Sequence, residues 1–355
     1  MTVITVNYNS SKIKDIASQC IKAILNLDYR PLEIIVVDNG PTDGSFEYIK
    51  SMIKDLAPRD VKVKLLELSK NYGFAGANCK ALKLMDKQAK YVALINNDLA
   101  PEPGSLRKLI EFLEGNIEVA GVQGKILTWE GDKIDDAGPY LTQLGNTYVK
   151  GYMMQADTNN TEAVVSYVDG AYSVYRIEAV LKAGGLFYPD FFLYGDDCEL
   201  GIRLWKSGYA VKYVPILAGK HFRGATFKQM KDWQEYFSRR SEIAMTIIHD
   251  RFWIVKLMLR LPMIIGVPLL RRQFMHSYTM RGVFDGILLG FRLYKKVNRT
   301  GLNRVPKIKL PLIKWYAILL KLALKYGKRA ERIQYAVISR YYLENLYEAK
   351  ILKWL

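Results

Sequence analysis

MTVITVNYNSSKIKDIASQCIKAILNLDYRPLEIIVVDNG, residues 1–40, holds two short β-branched apolar runs with a helical pattern between them. Residues 3–6 (VITV) read as a strand. Ile13, Ile16, Ala17, Cys20, Ala23, Ile24 and Leu27 then recur at helical spacing, and residues 32–37 (LEIIVV) read as a fully buried strand. The alternation continues. A helix is expected over 46–53, a strand over 63–68, a helix over 75–87, a strand over 91–95, a helix over 104–113 and a strand over 119–122. Strand–helix repetition of this kind predicts an α/β fold, with a mostly parallel sheet covered by helices on both faces. Ligands of such sheets bind beyond the carboxyl ends of the strands. The loops at 7–10, 38–45, 69–76 and 96–101 are therefore the place to look.

The chain has 355 residues, half of them hydrophobic, which is enough for a catalytic domain plus an appendage and excludes global disorder. Three cysteines specify no disulfide framework, and no CxxC or Cys/His cluster suggests zinc. The first residues read as a strand and not as a signal peptide. The net charge of +17 is unevenly placed. Residues 1–250 carry 30 Lys+Arg and 31 Asp+Glu, whereas residues 251–355 carry 22 and 4, so the last 105 residues hold a net +18. That shift predicts a boundary near 250.

In the basic part the charges interrupt apolar runs, as in FWIVKLMLRLPMIIGVPLLRR (252–272) and LPLIKWYAILLKLALKYGKR (310–329). Nucleic-acid binders spread their charge over polar loops or one helix face, so nucleic acid is not the expected partner. Leu, Ile, Trp and Tyr mixed with Lys and Arg is the composition of helices lying in a bilayer interface. An anionic membrane surface is the expected partner. Lys256, Arg260, Pro262 and Pro268 make the first run a poor spanning segment.

Three strand ends carry polar clusters: Asn7-Tyr8-Asn9-Ser10, Asp38-Asn39-Gly40 and Asn96-Asn97-Asp98. No GxGxxG follows the first strand and no GxxxxGK[ST] occurs, which disfavours dehydrogenases and P-loop ATPases. Asp38 is placed to accept hydrogen bonds from a ribose or a base, though a turn aspartate is its plainer role. Asp98 offers oxygen to a hard divalent cation, though it also suits a helix cap. The run Phe191-Phe192-Leu193-Tyr194-Gly195-Asp196-Asp197-Cys198-Glu199 puts a carboxylate pair behind aromatic bulk. Desolvation and a like charge there raise a carboxylate pKa towards that of a general base. The same Gly-Asp-Asp is also good capping chemistry for the following helix.

These pieces resemble the inverting family 2 glycosyltransferases of the GT-A fold, in particular their rhamnosyl- and mannosyltransferase-like members. The resemblance rests on VITVNYNS (3–10), VVDNGPTDGS (36–45), NYGFAGANCKAL (71–82), ALINNDLAPEPGSL (93–106), VDGAYSVYRIEAV (168–180), FFLYGDDCELGIRLWKSGY (191–209) and HFRGAT (221–226), in family order over about residues 1–245. With the charge boundary near 250, it implies a catalytic domain over 1–250; the composition of residues 251–355 makes them a basic amphipathic helical region. It implies that Val6, Asn7 and Asp38 cradle the nucleoside of a nucleoside-diphosphate sugar, with Asn71, Gly73 and Phe74 beside it. GDP-mannose, dTDP-rhamnose and UDP-hexoses are all compatible donors. Asn96-Asn97-Asp98 stands at the family's DXD-type position with one carboxylate where two are usual. Asp98, with His221, would hold Mn²⁺ or Mg²⁺, while Arg223 and Arg240 are candidates to neutralise diphosphate charge. Asp197 would be the catalytic base and Asp196 its partner, the two being exchangeable at this stage. Asp169 and Gly170 would sit near the acceptor, a glycan or lipid-linked hydroxyl at the cytoplasmic face of the membrane. Two other readings use the same residues: a nucleotidyltransferase-like enzyme, and a catalytically weak nucleotide-sugar-binding protein.

Overall fold

The structure is a computed structural model that describes residues 1–40, 42–223, 231–261, 264, 277–297 and 304–308. The expected alternation is present. Strand β1 (Thr2–Asn7) leads to helix α1 (Lys14–Leu25), β2 (Leu32–Asp38), α2 (Ser45–Leu56), β3 (Val61–Glu67), α3 (Gly73–Leu82) and β4 (Tyr91–Ile95). A short β5 (Leu99–Pro101), α4 (Ser105–Gly115) and the long β6 (Val119–Thr128) follow. Helix α3 stops at Leu82, short of the expected 87, and β6 runs six residues past the expected 122.

After β6 the chain makes short strands: β7 (Ile134–Asp136), β8 (Pro139–Thr142), β9 (Thr147–Val149), β10 (Ala163–Val164) and β11 (Tyr172–Arg176). Then come α5 (Ile177–Lys182), α6 (Asp196–Lys206), β12 (Ala210–His221), α7 (Lys231–His249), α8 (Trp253–Leu261), α9 (Ser277–Tyr294) and β13 (Lys307–Ile308).

The main sheet runs β10-β12-β6-β11-β4-β1-β2-β3. Pairs β4–β1, β1–β2 and β2–β3 are parallel, as is β12–β6. Strand β11 enters antiparallel between β4 and β6. The sheet is therefore mixed, which corrects the expectation of a mostly parallel one. The first four strands are joined by three crossover helices and so run parallel. Strand β11 comes back from the cleft end of the sheet, and no crossover reverses it.

Alternate residues of each strand feed the two faces. Val3, Ile34, Val36, Ala93 and Ile95 pack with α1, α2 and α4 on one side. Ile4, Ile35, Val37, Val92 and Leu94 pack with α3, α5 and α6 on the other. A further apolar cluster joins Leu141, Tyr167, Phe191, Cys198 and Ile202 to Ala244, Met245 and Ile248 of α7 and to Leu289 and Leu293 of α9. The chain past 250 thus contributes to the same core as the strands' periphery, and β13 pairs with β8 in a small second sheet. Among the described residues no helix is long and apolar enough to cross a membrane. The run at 310–329 lies outside the described residues.

Candidate active site

A cleft of about 640 Å³ opens beyond the carboxyl ends of β1 and β4. The strand-end loops supply Val6, Asn39, Asn71, Gly73, Phe74, Asn96, Asn97 and Asp98 to its wall. Asp169 and Gly170 come from the turn before β11, Asp196 and Asp197 from the start of α6, and His221 and Arg223 from the end of β12. Trp233 and Phe237 of α7 close the far side. Segments far apart in sequence meet here because their strands end on one edge of the sheet.

Three of the expected residues lie outside the cleft wall. Asn7 is 0% exposed and acts as a tie. It donates to Ser45 Oγ at 3.1 Å, and its Oδ1 accepts from Ser10 (2.6 Å) and from Asn97 (2.9 Å), so it fixes the first and fourth strand tips together. Asp38 is buried at the end of β2, beside Glu67 of β3. Burial and then the Glu67 charge push it up to about 6, and its Oδ1 has no hydrogen-bond partner among the described residues. Arg240 donates to the Asp190 and Phe191 carbonyls and stands over the Phe237 ring at 5.1 Å. It braces the loop ahead of α6.

That loop is strained. Leu193 N–H donates to Phe191 C=O at 2.6 Å, closing a three-residue turn on Phe192, whose φ is +63° and ψ −58°. This is the rare γ-turn geometry, and strain of this kind persists only where surroundings over-determine it. The surroundings are explicit. Phe192 stacks on Phe237 at 5.2 Å, and its carbonyl accepts from Ala75 N–H at the start of α3. Gly73 permits that approach: its φ is +70°, and a Cβ there would meet the Phe192 oxygen at 2.2 Å.

The acidic pair divides. Asp196 is 3% exposed, with Oδ2 unpartnered among the described residues. Burial first, and Asp197 next, hold its carboxyl well above the usual range. Asp197 is half-buried and faces the cleft. It accepts from Cys198 N–H at 2.7 Å and Gly170 N–H at 3.3 Å. Desolvation and the Asp169 charge raise it to about 7. The third acid, Glu199, lies away from the cleft. It is fully buried, bonded to Arg203 (2.7 Å) and His249 (3.0 Å).

On the opposite side, His221 Nε2 lies 3.2 Å from Asp98 Oδ1, and His221 Nδ1 lies 2.9 Å from Asp135 Oδ2. Burial would lower this imidazole, but Asp98 and Asp135 raise it to about 10. Arg223 Nε reaches Asp135 at 2.8 Å, and Nη2 lies 3.8 Å from Asp169. A polar chain therefore runs Asp98–His221–Asp135–Arg223–Asp169, and the Asp169-Gly170 turn meets Asp197.

The donor set at Asp98 and His221 suits a hard divalent cation. Adjacent ligands of an octahedral ion with bonds of about 2.1 Å lie about 3 Å apart, close to the observed carboxylate–imidazole spacing. A histidine whose other nitrogen is held by a carboxylate is also the usual arrangement of a metal-bound imidazole. Among the described residues no cluster of three or more such side chains occurs, so oxygens of a diphosphate and water would complete the shell. Phe192 and Tyr194 are the aromatic bulk expected ahead of the acidic pair, whereas Asp135, Trp233 and Phe237 are not among the residues expected from sequence. The only local signal for Asp135 is an acidic pair set between the apolar residues Ile134 and Ala137.

Known proteins are similar to this chain in sequence and in fold. The family description "Glycosyl transferase family 2" matches residues 2–182. The chain is 27% identical over 180 residues to a probable glucomannan 4-beta-mannosyltransferase 7 of Oryza sativa subsp. japonica, a match over 48% of this chain and 29% of that protein. It is 24% identical over 218 residues to an N-acetylglucosaminyl-diphospho-decaprenol L-rhamnosyltransferase of Mycobacterium tuberculosis, over 55% of this chain and 67% of that one. The chain spans less than half the length of the plant relatives it matches. Among solved structures, the mannosyltransferase PcManGT from Pyrobaculum calidifontis, in complex with GDP-Man and Mn²⁺, superposes with a TM-score of 0.52 at 16% identity, over 96% of this chain and 86% of that chain. GalNAc-T7 with UDP, GalNAc and Mn²⁺ superposes with a TM-score of 0.54 at 13% identity, over 83% and 55%. At those identities the likeness is one of fold, and that fold is GT-A-like.

Proposed function

The chain belongs to glycosyl transferase family 2, and from that premise we propose that it transfers a hexose or deoxyhexose from a nucleoside-diphosphate sugar to an acceptor hydroxyl, with inversion at the anomeric carbon. The observation that carries this reading is the placement of Asp197. It is a half-buried carboxylate raised to about 7, across one cleft from the polar strand tips and the Asp98–His221 pair. The mannosyl and rhamnosyl names of the relatives support the sugar class.

The step is one in-line displacement. Asp197 accepts the proton of the acceptor hydroxyl. That oxygen forms its bond to the anomeric carbon as the bond from that carbon to the diphosphate oxygen breaks, and the bonding pair leaves with the diphosphate. Asp98 and His221 would hold Mn²⁺ or Mg²⁺, which supplies positive charge to the departing diphosphate. Arg223 adds a guanidinium on the same side. Asp196, buried and protonated, serves as the neutral neighbour that lets Asp197 carry the single negative charge of the pair. Asn7 and Asn97 hold the strand tips in register beneath the donor. Gly170 N–H orients the base, and Asp169 tunes it.

The acceptor is a glycan or a lipid-linked glycan presented at an anionic membrane surface on its cytoplasmic side. Supporting this are the net +18 of residues 251–355 and the exposed apolar side chains of α8 and α9. The test is a panel of GDP-mannose, dTDP-rhamnose and UDP-hexoses with Mn²⁺ or Mg²⁺, followed by product analysis. Release of nucleoside diphosphate supports the reading. Release of nucleoside monophosphate or pyrophosphate identifies a nucleotidyltransferase-like reaction instead, and donor binding without release identifies a binding protein.

A further inference from the structure

Asp135 is a buried carboxylate that the displacement itself does not use. It stands on β7 and is 3% exposed. Its two oxygens serve two different donor groups, Arg223 Nε at 2.8 Å and His221 Nδ1 at 2.9 Å. Burying a lone carboxylate costs several kcal/mol unless its oxygens are paired. Here both are paired, and both partners belong to the donor side of the cleft. The next residue, Asp136, faces the other way along the strand. It accepts from Gln123 at 2.7 Å and from Gly138 N–H at 2.7 Å.

The sheet holds the His221 backbone between Leu99 and Thr128 but leaves its ring, and all of Arg223, to be fixed by side-chain contacts. Strand β12 stops at His221. Arg223 lies beyond it with φ +40°, and its side chain is 41% exposed. With His221 Nδ1 committed to Asp135, Nε2 is the nitrogen left to face Asp98 and the cleft. With Arg223 Nε committed to the same carboxylate, the terminal nitrogens of the guanidinium are left to face the cleft.

We propose that Asp135 is a positioning residue that holds His221 and Arg223 as one unit, presenting the imidazole to a divalent cation and the guanidinium to the diphosphate. It rests on the glycosyltransferase reading of the cleft and adds to it a coupling: the two donor-side groups move, or stay, together. An isosteric amide breaks that coupling, because Asn carries one acceptor oxygen and one NH₂ where two acceptors are needed.

The experiment uses the full chain and metal alone. Free Mn²⁺ is followed by its electron paramagnetic resonance signal during titration with wild type, Asp135→Asn and Asp136→Asn. Outer carboxylates of metal-bound histidines affect metal affinity by about 10–100-fold. Asp135→Asn should weaken Mn²⁺ binding within that range, whereas Asp136→Asn should bind as wild type does. In EDTA, inorganic pyrophosphate should bind Asp135→Asn several-fold more weakly than wild type, as it should Arg223→Gln. Wild-type Mn²⁺ affinity in Asp135→Asn overturns the proposal. Wild-type pyrophosphate affinity there overturns its Arg223 half. No Mn²⁺ binding by the wild type, either alone or with a nucleoside diphosphate present, overturns the metal reading of Asp98 and His221 itself, a different failure. Should Asp135→Asn not fold, Asp135→Glu displaces the carboxylate by one methylene, and unchanged Mn²⁺ affinity in that variant is equally fatal.

Discussion

Asp196 and Asp197 are adjacent in sequence yet unlike in chemistry, because a helix turns successive side chains about 100° apart. Both line the cleft, but Asp196 is buried at its wall whereas Asp197 is half-buried and open to it. The raised pKa of Asp197 fixes the sign of a pH effect. A base must be ionised to accept a proton, so turnover should climb as pH passes upward through about 7 and level off above it. The Asp169 charge is, after burial, the next cause of that elevation. Asp169→Asn should therefore move the acidic limb of the pH–rate profile to lower pH. A limb that stays in place would remove Asp169 from this role. Asp197→Asn should abolish transfer and leave donor binding intact, measured by turnover and by calorimetric titration with the nucleoside diphosphate. Undiminished turnover would remove Asp197 from the base role. The strand-tip residues of this site were legible in the sequence, because in a sheet of this class position along a strand already says which end a loop occupies. Asp135 was not, and for Arg240 the sequence suggested a diphosphate contact and not the loop brace that the structure shows. Their partners, His221 at 86 positions away and the carbonyls some 50 positions away, come near only through the tertiary fold.

The inner face of α6 shows how the helices are locked behind the cleft. Glu199 is fully buried between Arg203 and His249, and Lys206 Nζ lies 2.8 Å from His249 Nδ1. A neutral imidazole satisfies this arrangement, accepting from Lys206 and donating from Nε2 to Glu199. Burial, with Lys206 and Arg203 nearby, lowers His249 to about 4. A histidine depressed in the folded state stabilises fully above its unfolded pKa of about 6.5, and that contribution is lost as pH falls through the folded value. Urea midpoints should fall between pH 6.5 and 4, with roughly 3 kcal/mol at stake from a shift of this size. His249→Gln, which can both donate to Glu199 and accept from Lys206, should flatten that dependence. Helix α9 meets α7 through Gly282, Gly286 and Gly290, and a Cβ on Gly286 would lie 2.6 Å from Arg240 C=O. Alanine gains about 1 kcal/mol of helix propensity there but brings an overpacking cost of about 1–3 kcal/mol, so the cost prevails. Gly286→Ala should lower the melting temperature, whereas exposed Leu288→Ala should leave it nearly unchanged. Apart from the three-residue β5, the elements up to residue 122 were legible because each apolar run has one period and a clear stop. Strand β11 was not, since YSVYR also suits the start of the helix that follows it, and only pairing on both sides makes it a strand.

At the scale of the whole molecule, charge and apolar surface fall on the same part of the chain. Phe284, Leu288 and Phe291 recur at i, i+4 and i+7 on α9, with exposures of 64%, 50% and 52%. Val255 and Met258 of α8 are exposed as well, and Trp253 meets Phe291 edge-on at 5.6 Å, joining the two helices into one ridge. Arg281 and Arg292 flank it, their pairs with Asp285 and Asp190 lying at the surface. Surface pairs of this kind contribute 0–1 kcal/mol, so these guanidiniums remain available to an anionic leaflet. Deleting residues 251–355 would be a poor test of membrane contact, because Val283, Leu289 and Leu293 of α9 fill the core and their loss would damage the fold. Substitution on the ridge separates the two effects. Each exposed Phe or Leu that enters an interface contributes about 1.5–3 kcal/mol, so Phe284→Ser, Leu288→Ser and Phe291→Ser together should weaken sedimentation with phosphatidylglycerol vesicles by well over tenfold. Added salt should weaken the wild type through its basic groups, and soluble acceptor analogues should still be glycosylated by the triple variant at the wild-type rate. Equal vesicle binding by the two proteins would place the membrane contact elsewhere in the chain and leave this ridge without that role.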